Sequence, residues 1–271
     1  MPQQEVVLYE REGRVARITL NRPAVRNAID PEMACRLVDA LDDFASDSKL
    51  LVLILTGAGS EAFCAGGDLE KTLPLLTGAR EPQDPWDERI VAEPNILVRA
   101  ALRLPQLDKP VIAAVNGFCL AGGMEMLLAT DIRIAADHAT FGLPEVRLGL
   151  IPFAGTFARL PRQVSYCVAM EMLLTGDTFP AARAKELGLV NAVVPAAGVL
   201  TKAEHVAAAI ARNGALAVRE IKRTVVASIG RTFEEAAELE DAARERVMAS
   251  TDAREGPAAF REKRAPRFTC T

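Results

Sequence analysis

The order of hydrophobic and polar residues predicts a chain that begins with strands and ends with helices. Residues 4–10 and 14–20 form a predicted hairpin with its turn at Glu12-Gly13. Asp30-Pro31 then starts a predicted helix, with the aspartate as its cap and the proline in its first turn. The uninterrupted hydrophobic run at 50–55 is typical of a strand that is covered on both faces.

Strands and helices alternate in the segments that follow. We expect a glycine-rich loop at 56–68 and a mobile surface loop at 72–88, where prolines and charges are frequent. The remaining predicted elements of this part are strands at 110–115, 132–135 and 140–141 and helices at 90–104, 124–130, 155–160 and 164–174.

Beyond residue 195 the pattern predicts only helices, with breaks at Asn213-Gly214 and Gly230. The alternation before this point and its absence afterwards predict an α/β core over residues 1–195 and a helical C-terminal region over 196–271.

The composition fits one large core, because half of the 271 residues are hydrophobic. The formal net charge is -4 and no basic stripe is present, so we expect no nucleic-acid partner. No apolar run reaches the roughly 18 residues of a membrane helix, and residues 1–12 lack a signal-peptide pattern. We therefore expect no membrane association and a cytoplasmic location.

Cysteines and histidines show neither a disulfide nor a metal pattern. The five cysteines, at 35, 64, 119, 167 and 270, are odd in number and form no CxxC pair, which indicates reduced thiols. His138 and His205 have no partner at metal-ligand spacing, and no G-x-S-x-G sequence is present. We expect neither a metal site built from these residues nor a serine triad.

One glycine-rich segment fits a nucleotide-binding pattern. Gly57-Ala-Gly-Ser-Glu-Ala follows a predicted strand and matches G-x-G-x-x-A. A dinucleotide fingerprint normally lies on the first strand and opens directly into a helix, whereas here Phe63-Cys-Ala-Gly-Gly follows. A glycine-rich turn is the preferred interpretation, with dinucleotide binding as the alternative.

Two glycine pairs, Gly66-Gly67 and Gly122-Gly123, expose backbone N–H groups. The second pair directly precedes a predicted helix, where free N–H groups suit an oxygen that becomes negative during a reaction. One N–H group from each loop could converge on a single carbonyl oxygen. Close helix packing or a tight turn is the alternative explanation.

Two carboxylates, Glu125 and Glu145, lie beside these glycine-rich turns. Glu125 occupies an apolar stretch in the first turn of a predicted helix, where it could simply complement the helix dipole. Glu145 could form a salt bridge with Arg147 or Arg133. Their occurrence together favours a general acid/base pair.

The sequence resembles the crotonase (enoyl-CoA hydratase/isomerase) superfamily over nearly its whole length. The matching blocks, in the family's order, are Ile18-Thr-Leu-Asn-Arg-Pro, Phe63-Cys-Ala-Gly-Gly-Asp-Leu, Lys109-Pro-Val-Ile-Ala-Ala-Val-Asn-Gly, Leu120-Ala-Gly-Gly-Met-Glu, Phe141-Gly-Leu-Pro-Glu, Gly188-Leu-Val-Asn and Phe260-Arg-Glu-Lys-Arg. The resemblance implies an α/β spiral of ββα units, a C-terminal helical trimerisation region, and a homotrimer or dimer of trimers. It also implies an acyl-CoA thioester substrate.

The resemblance further implies a role for individual residues. The oxyanion hole would consist of the N–H groups of Gly67 and Gly122, and Glu125 and Glu145 match the two catalytic glutamates of the hydratases. The implied substrate-binding residues are Ala65, Asp68, Phe153, Phe260 and Lys263, of which the last two would contact the CoA of a neighbouring subunit. Coenzyme A is then part of the substrate, and no further cofactor is implied.

Both glutamates are present, as in the hydratases, whereas the Δ3,Δ2-isomerases usually lose the one that matches Glu125. We therefore expect the addition of water to a 2-trans-enoyl-CoA. Two positions depart from the family pattern: Phe153 lies where hydratases often have glycine, and Ala121 replaces the first of three glycines, a mild change. The alternatives are enoyl-CoA isomerisation, dehydration of a carnitinyl type, thioester hydrolysis, non-catalytic acyl-CoA binding and nicotinamide-dependent reduction.

Overall fold

A computed structural model describes residues 5–103 and 107–269 of the chain. The strands within these ranges form two sheets. They are β1 Val7–Glu12, β2 Val15–Leu20, β3 Val52–Gly57, β4 Ala62–Cys64, β5 Val111–Val115, β6 Phe118–Leu120, β7 Ile132–Ala136, β8 Thr140–Gly142, β9 Thr178–Pro180 and β10 Ala192–Val194.

The larger sheet has the strand order β1-β2-β3-β5-β7-β10, in which β1 is antiparallel to β2 and the other neighbours are parallel. The smaller sheet has the order β4-β6-β8-β9, and β9 is its antiparallel strand. The pairs β3–β4, β5–β6 and β7–β8 each contribute one strand to each sheet. The chain therefore advances as a spiral of two-strand turns, which confirms the fold that the sequence predicts.

The helices connect these turns and then form the C-terminal region. They are α1 Pro31–Ser46, α2 Thr72–Leu76, α3 Pro85–Ala92, α4 Ile96–Ala100, α5 Gly122–Leu128, α6 Thr156–Gln163, α7 Tyr166–Thr175, α8 Ala181–Glu186, α9 Val199–Ala211, α10 Ala215–Ser228, α11 Phe233–Ala249 and α12 Asp252–Arg261. Short 3-10 helices occupy Pro23–Val25, Pro144–Leu148 and Ala196–Gly198. Among the described residues, no helix combines the length and the hydrophobicity that crossing a membrane requires.

The core lies around β3 and β5, in which every residue is buried. Helix α9 packs across β3, β5 and β7, while β4 contacts β3 and β5. Because both faces are covered, an uninterrupted hydrophobic sequence is stable there, as the run at 50–55 predicts. The observed strand begins at Val52, two residues after the start of that run.

Helix α1 begins where the sequence predicts. The Asp30 side chain accepts a hydrogen bond from the Met33 amide at 3.0 Å, and Pro31 occupies the first helical position. A cap of this kind stabilises a helix by about 1 kcal/mol. The preceding hairpin also forms, with its turn at Gly13-Arg14, one residue later than predicted.

The prediction of an unstructured loop at 72–88 is wrong, because α2 and the start of α3 lie there. Asp84 caps α3 by accepting hydrogen bonds from the amides of Trp86 and Asp87, and Pro85 follows it. The segment between the two helices is held by Arg80, which donates to Asp87 at 2.5 and 2.8 Å. Local capping and this half-buried ion pair therefore order a stretch whose prolines suggest a loop.

The prediction of one helix at 90–104 is also wrong. Helix α3 ends at Ala92 and α4 begins at Ile96, with Pro94 between them. Proline lacks the N–H group that a continuous helix needs and clashes with the preceding turn. Residue 104, the predicted end, lies outside the described residues, as does Cys270.

The C-terminal region is helical, and its breaks fall at the predicted glycines. Helix α9 belongs structurally to the core, whereas α10 and α11 pack against each other and α12 packs against α11. Several large hydrophobic side chains on α10, on α11 and in the turn between them are exposed: Ile221, Val225, Ile229, Phe233 and Met248. The division of the chain at residue 195 and the role of this region in oligomerisation remain predictions.

Candidate active site

The candidate residues follow three neighbouring parallel strands of the smaller sheet. Cys64 at the end of β4 pairs in register with Cys119 of β6, which pairs with Phe141 of β8. The carboxyl ends of parallel strands lie at the same side of a sheet, and this is where ligands bind in α/β folds. The loop of Gly67, the helix of Glu125 and the turn of Glu145 therefore begin side by side.

The two glycine loops meet. A methyl group built on Gly122 would lie 3.6 Å from the Gly66 Cα atom and 3.7 Å from the Gly67 amide nitrogen. Within residues 5–103 and 107–269, neither the Gly67 nor the Gly122 N–H group donates a hydrogen bond to the protein. Two backbone donors from separate loops are thus adjacent and available to one acceptor.

The packing explanation holds for the other member of each pair. A methyl group on Gly123 would lie 2.3 Å from the Cys64 carbonyl oxygen, so only glycine allows α5 to approach β4 this closely. Gly66 has a φ of +100°, and a methyl group there would lie 2.6 Å from the Ala121 Cβ atom. Each pair therefore combines one residue required for packing with one that offers its amide.

Ala121 adopts a backbone conformation that favours glycine, with φ 48° and ψ -124°. Such a conformation costs a residue with a Cβ atom about 1–3 kcal/mol. The alanine leaves Gly122 in place, as the sequence suggests, but the replacement introduces strain immediately before the amide of the candidate oxyanion hole and is not mild.

Glu125 is 3 % exposed, and its Oε1 atom accepts two hydrogen bonds. The donors are the Ala154 amide at 2.6 Å and the Thr156 hydroxyl group at 2.9 Å. Burial raises the pKa of Glu125, while these two donors, the Phe153 backbone and the charge of Arg159 oppose the rise. The carboxylate is thus buried but provided with groups that favour its ionised form.

Glu145 has the opposite environment. Its Oε2 atom is buried and has no hydrogen-bond partner among the described residues. Burial raises the pKa of Glu145 to about 7; its own backbone N–H group opposes the rise and the nearby Glu125 carboxylate adds to it. A carboxyl group with an unpartnered buried oxygen and a neighbouring negative charge favours the protonated form.

The alternative salt bridges of Glu145 do not form in the described part of the chain. Arg147 pairs with Asp177. Arg133 donates instead to the backbone carbonyl groups of Leu128, Thr130 and Leu189. Glu125 and Glu145 therefore form an unequal pair within electrostatic range of each other. Burial raises the pKa of both, but Glu125 Oε1 has two hydrogen-bond donors, whereas Glu145 Oε2 has none among the described residues.

The other implied substrate-binding residues of the core lie near this site. The carboxylate of Asp68 accepts hydrogen bonds from Arg22 at 2.9 Å and from the amides of Glu70 and Lys71 at 3.0 Å. Its burial opposes ionisation, but these donors outweigh it and lower the Asp68 pKa. The backbone of Asp68 is engaged as well, because its amide donates to the Ile29 carbonyl group and its carbonyl group accepts from the amides of Thr72 and Leu73. A substrate contact at this position remains a prediction.

Ala65 and Phe153 belong to two different segments of the candidate site. Ala65 is half-buried in the loop after β4, and its amide donates to the Arg26 carbonyl group. Phe153 precedes α6 with half of its surface exposed. Its ring is thus accessible at the surface, while its backbone faces the Glu125 carboxylate. The substrate contacts of both residues remain predictions.

Phe260 and Lys263 are not brought to the glutamates within one chain. Phe260 lies on α12 and is 86 % exposed, and Lys263 follows the end of that helix. Their contact with the CoA of a neighbouring subunit also remains a prediction.

Three residues that hold Glu125 were not identified from the sequence: Ala154, Thr156 and Arg159. All lie about 30 positions away from the glutamate, so no local periodicity reports the contact. A signal exists in Gly155-Thr156, where a glycine and a small hydroxyl residue start a helix in the segment that follows Glu145.

The glycine-rich turn after β3 is confirmed. Gly57 is followed by a turn and then by β4, and no helix begins there. A methyl group on Gly57 would lie 2.3 Å from the Ala62 carbonyl oxygen. This glycine therefore permits close packing of backbone segments, and the helix that dinucleotide binding requires does not follow it.

The chain is similar to known proteins over nearly its whole length. A family model described as Enoyl-CoA hydratase/isomerase matches residues 10–270. The chain belongs to this family. Enoyl-CoA hydratase EchA19 of Mycobacterium tuberculosis is 42 % identical over 261 residues, which cover 96 % of this chain and 95 % of the relative. The carnitinyl-CoA dehydratase of Proteus mirabilis is 38 % identical, and the match covers 94 % and 95 % of the two chains.

The crotonase fold is equally clear in solved structures. The crystal structure of an enoyl-CoA hydratase from Mycobacterium tuberculosis matches with a TM-score of 0.88 and 40 % identity, covering 99 % of this chain and 100 % of that one. The chain is therefore an enzyme of the crotonase type, and it shares its fold with named hydratases.

Proposed function

We propose that this enzyme adds water across the double bond of a 2-trans-enoyl-CoA. The observation that carries the proposal is the unequal pair of glutamates beside two available backbone amides. Hydration needs a base that removes a proton from water and an acid that delivers one to carbon. Glu125, with two hydrogen-bond donors, suits the first role, and Glu145, with an unpartnered buried oxygen, suits the second.

The first interaction is between the thioester carbonyl oxygen and the N–H groups of Gly67 and Gly122. As water attacks, electron density moves from the double bond onto this oxygen, and an enolate-like state forms. The amides then bind a more negative oxygen than in the ground state, which lowers the barrier. Loss of one such donor typically costs about 3–4 kcal/mol.

The proton transfers balance across the two glutamates. Glu125 takes a proton from water while the water oxygen forms a bond to C3. Glu145 gives its proton to C2 as the enolate collapses, which completes a 3-hydroxyacyl-CoA. Glu125 is now protonated and Glu145 ionised, so the cycle closes when one proton returns to Glu145 through solvent.

The test is the hydration of crotonyl-CoA and longer enoyl-CoA thioesters, followed by loss of the conjugated absorbance and by mass analysis of the product. We expect gain of one water molecule with the wild-type enzyme and a loss of at least about 100-fold in kcat for Glu125→Gln and Glu145→Gln. Unchanged turnover in either variant would remove that residue from the mechanism.

Dehydration of a 3-hydroxyacyl-CoA is the second candidate, because it is the same reaction in reverse on the same residues. The similarity to a carnitinyl-CoA dehydratase and the unusual Phe153 favour a test in this direction. Mass and chromatographic analysis of the products also distinguishes isomerisation, thioester hydrolysis and reduction by NAD(P)H. Tight binding of acyl-CoA without any product would indicate a non-catalytic binder.

The exposed side chains of α10, α11 and α12 support an assembly as part of this proposal. We infer a homotrimer or a dimer of trimers, in which Phe260 and Lys263 reach the CoA of a neighbouring subunit. Light scattering coupled to size-exclusion chromatography gives the mass. Phe260→Ala should raise KM more than it lowers kcat if this contact exists.

The free thiols Cys35, Cys64, Cys119 and Cys167 suit the reducing cytoplasm, which we propose as the location.

A further inference from the structure

Arg159 of α6 fixes the short segment that touches Glu125. Its Nη1 atom donates to the Ala154 carbonyl oxygen at 3.2 Å, and its Nη2 atom donates to the Leu102 carbonyl oxygen at 3.1 Å. The amide of the same Ala154 donates to Glu125 Oε1. The guanidinium group therefore ties the segment before α6 to the end of the α4 region, with Ala154 held at both its carbonyl and its amide.

Gly155 makes room for this tether. Its φ is +101°, and a methyl group there would lie 3.0 Å from Arg159 Nη1 and 3.5 Å from Cζ. A residue with a side chain would both strain the backbone and displace the guanidinium group. The conformation of Gly155 thus leaves space for the Arg159 guanidinium group beside the segment that contains Ala154.

A second arginine acts on the preceding peptide group. Arg103 donates to the Phe153 carbonyl oxygen at 3.1 Å. This carbonyl belongs to the same peptide group as the Ala154 N–H that Glu125 accepts. A cation bonded to the oxygen polarises the peptide group and strengthens its N–H as a donor.

The charged groups around Glu125 are few. Arg159 approaches it from α6, and Glu145 approaches it from the 3-10 helix at Pro144–Leu148. Two other elements pack on α5. Strand β4 carries the buried thiol of Cys64, and strand β6 carries the buried thiol of Cys119. Arg159 is thus the cation that opposes the burial of the Glu125 carboxylate in the described part of the chain.

We propose that Arg159 is a positioning residue that holds the Ala154 amide on Glu125 and keeps Glu125, rather than Glu145, the unprotonated member of the pair. The inference rests on the proposed function, in which Glu125 acts as the base. In this role Arg159 acts through the backbone, because its hydrogen bonds go to the carbonyl groups of Ala154 and Leu102.

Loss of the guanidinium group has two consequences, of which a purely structural arginine would not produce the second. The Ala154 segment can move away from Glu125, which impairs the orientation of water and lowers kcat. The charge that favours ionised Glu125 also disappears, so Glu125 takes up a proton at higher pH. The acidic limb of the rate profile, which reports the base, must then move upward.

The test compares Arg159→Gln and Arg159→Lys with the control Arg162→Gln. Arg162 lies one turn further along α6, is exposed and donates to the Ala158 carbonyl group. In hydration of crotonyl-CoA, we expect Arg159→Gln to lower kcat by at least about 10-fold with a smaller change in KM. Its acidic limb should move up by about one pH unit. Arg159→Lys should retain most of the pH profile, and Arg162→Gln should match the wild type.

A measurement without turnover keeps the two proposals separate. The infrared band of the protonated carboxylic acid that disappears in Glu125→Gln reports this residue directly, and it should appear at higher pH in Arg159→Gln than in the wild type. If the wild type hydrates no enoyl-CoA but this band moves, the proposed function fails and the role of Arg159 stands. If Arg159→Gln matches Arg162→Gln in both the rate profile and the band, the role of Arg159 is refuted. As a control, the melting temperature of each variant is measured to establish that it is folded.

Discussion

The hydroxyl group of Thr156 donates to Glu125 Oε1 across 2.9 Å and joins residues 31 positions apart. Thr156 is 1 % exposed and occupies the first position of α6, so the start of one helix supports the candidate base on another. Its contact differs from that of Arg159 because it is made directly to the carboxylate oxygen.

Replacing Thr156 with valine should therefore impair catalysis more than folding. The shape of the side chain is retained, but a hydrogen bond to a charged group, worth about 1.5–3 kcal/mol, is lost. We expect kcat/KM for crotonyl-CoA to fall by about 10- to 100-fold. Thr156→Ser keeps the hydroxyl group and should stay within a few-fold of the wild type. Equal activity of the valine and serine variants would contradict the role of this bond.

Adjacent glycines of α5 should respond differently to the same substitution. A methyl group on Gly122 makes only ordinary contacts and lies 3.7 Å from the Gly67 amide, in the space proposed for the thioester oxygen. Gly122→Ala should fold normally and lower kcat by about 100-fold. Gly123→Ala places its methyl group 2.3 Å from the Cys64 carbonyl oxygen and should destabilise the fold by at least about 1–3 kcal/mol. Kinetics and thermal melts of the two variants check whether Gly122 serves catalysis and Gly123 serves packing.

The pH dependence of the rate should show Glu145 as the acid. Its pKa is raised to about 7, and the proposed mechanism requires the protonated form. The protonated fraction falls as pH rises through this value, so kcat/KM of the wild type should decline above about pH 7. Glu145→Gln should remove that basic limb along with most of the activity. A wild-type profile that is level from about pH 6 to about pH 9 would exclude a titrating acid of this kind.

Ala121→Gly tests the strain before the candidate oxyanion hole. Glycine relieves about 1–3 kcal/mol of backbone strain, while its greater freedom in the unfolded chain costs about 0.4–1 kcal/mol. We expect the melting temperature to stay constant or rise. The control Ala208→Gly, at an exposed position of α9, should lower stability by about 1 kcal/mol. A loss at Ala121 equal to that at Ala208 would show that no strain is relieved.

Much of this fold can be predicted from the chain because its strongest patterns are local. The hydrophobic run before Thr56 and the Asp30-Pro31 cap each specify an element from adjacent residues. Asp84-Pro85 carries the same capping signal as Asp30-Pro31, yet the surrounding prolines and charges obscure it. The helix there is also supported by the pairing of Arg80 with Asp87, which no periodicity reveals.

The same distinction holds for the candidate site, where some residues can be predicted from the local sequence and others cannot. Gly122 and Glu125 lie three positions apart in one helical turn, and their proximity to Glu145 follows from the order of parallel strands and from the family resemblance. The supports of Glu125 do not follow, because Thr156 and Arg159 act through contacts made only when α5 and α6 pack. The inequality of the two glutamates likewise depends on burial and hydrogen bonding, which the residue types alone do not fix.

The close approach of Gly123 to the Cys64 carbonyl joins the two amide-bearing loops main chain to main chain. Because a side chain at position 123 would clash with the Cys64 carbonyl oxygen, we expect this junction to stay the same whatever acyl group the enzyme accepts. We expect adaptation to a new acyl group to act instead on other segments, such as the one that contains Phe153. The proposed function thus combines a fixed binding site for the reacting carbonyl group with surroundings that we expect to differ from one substrate to another.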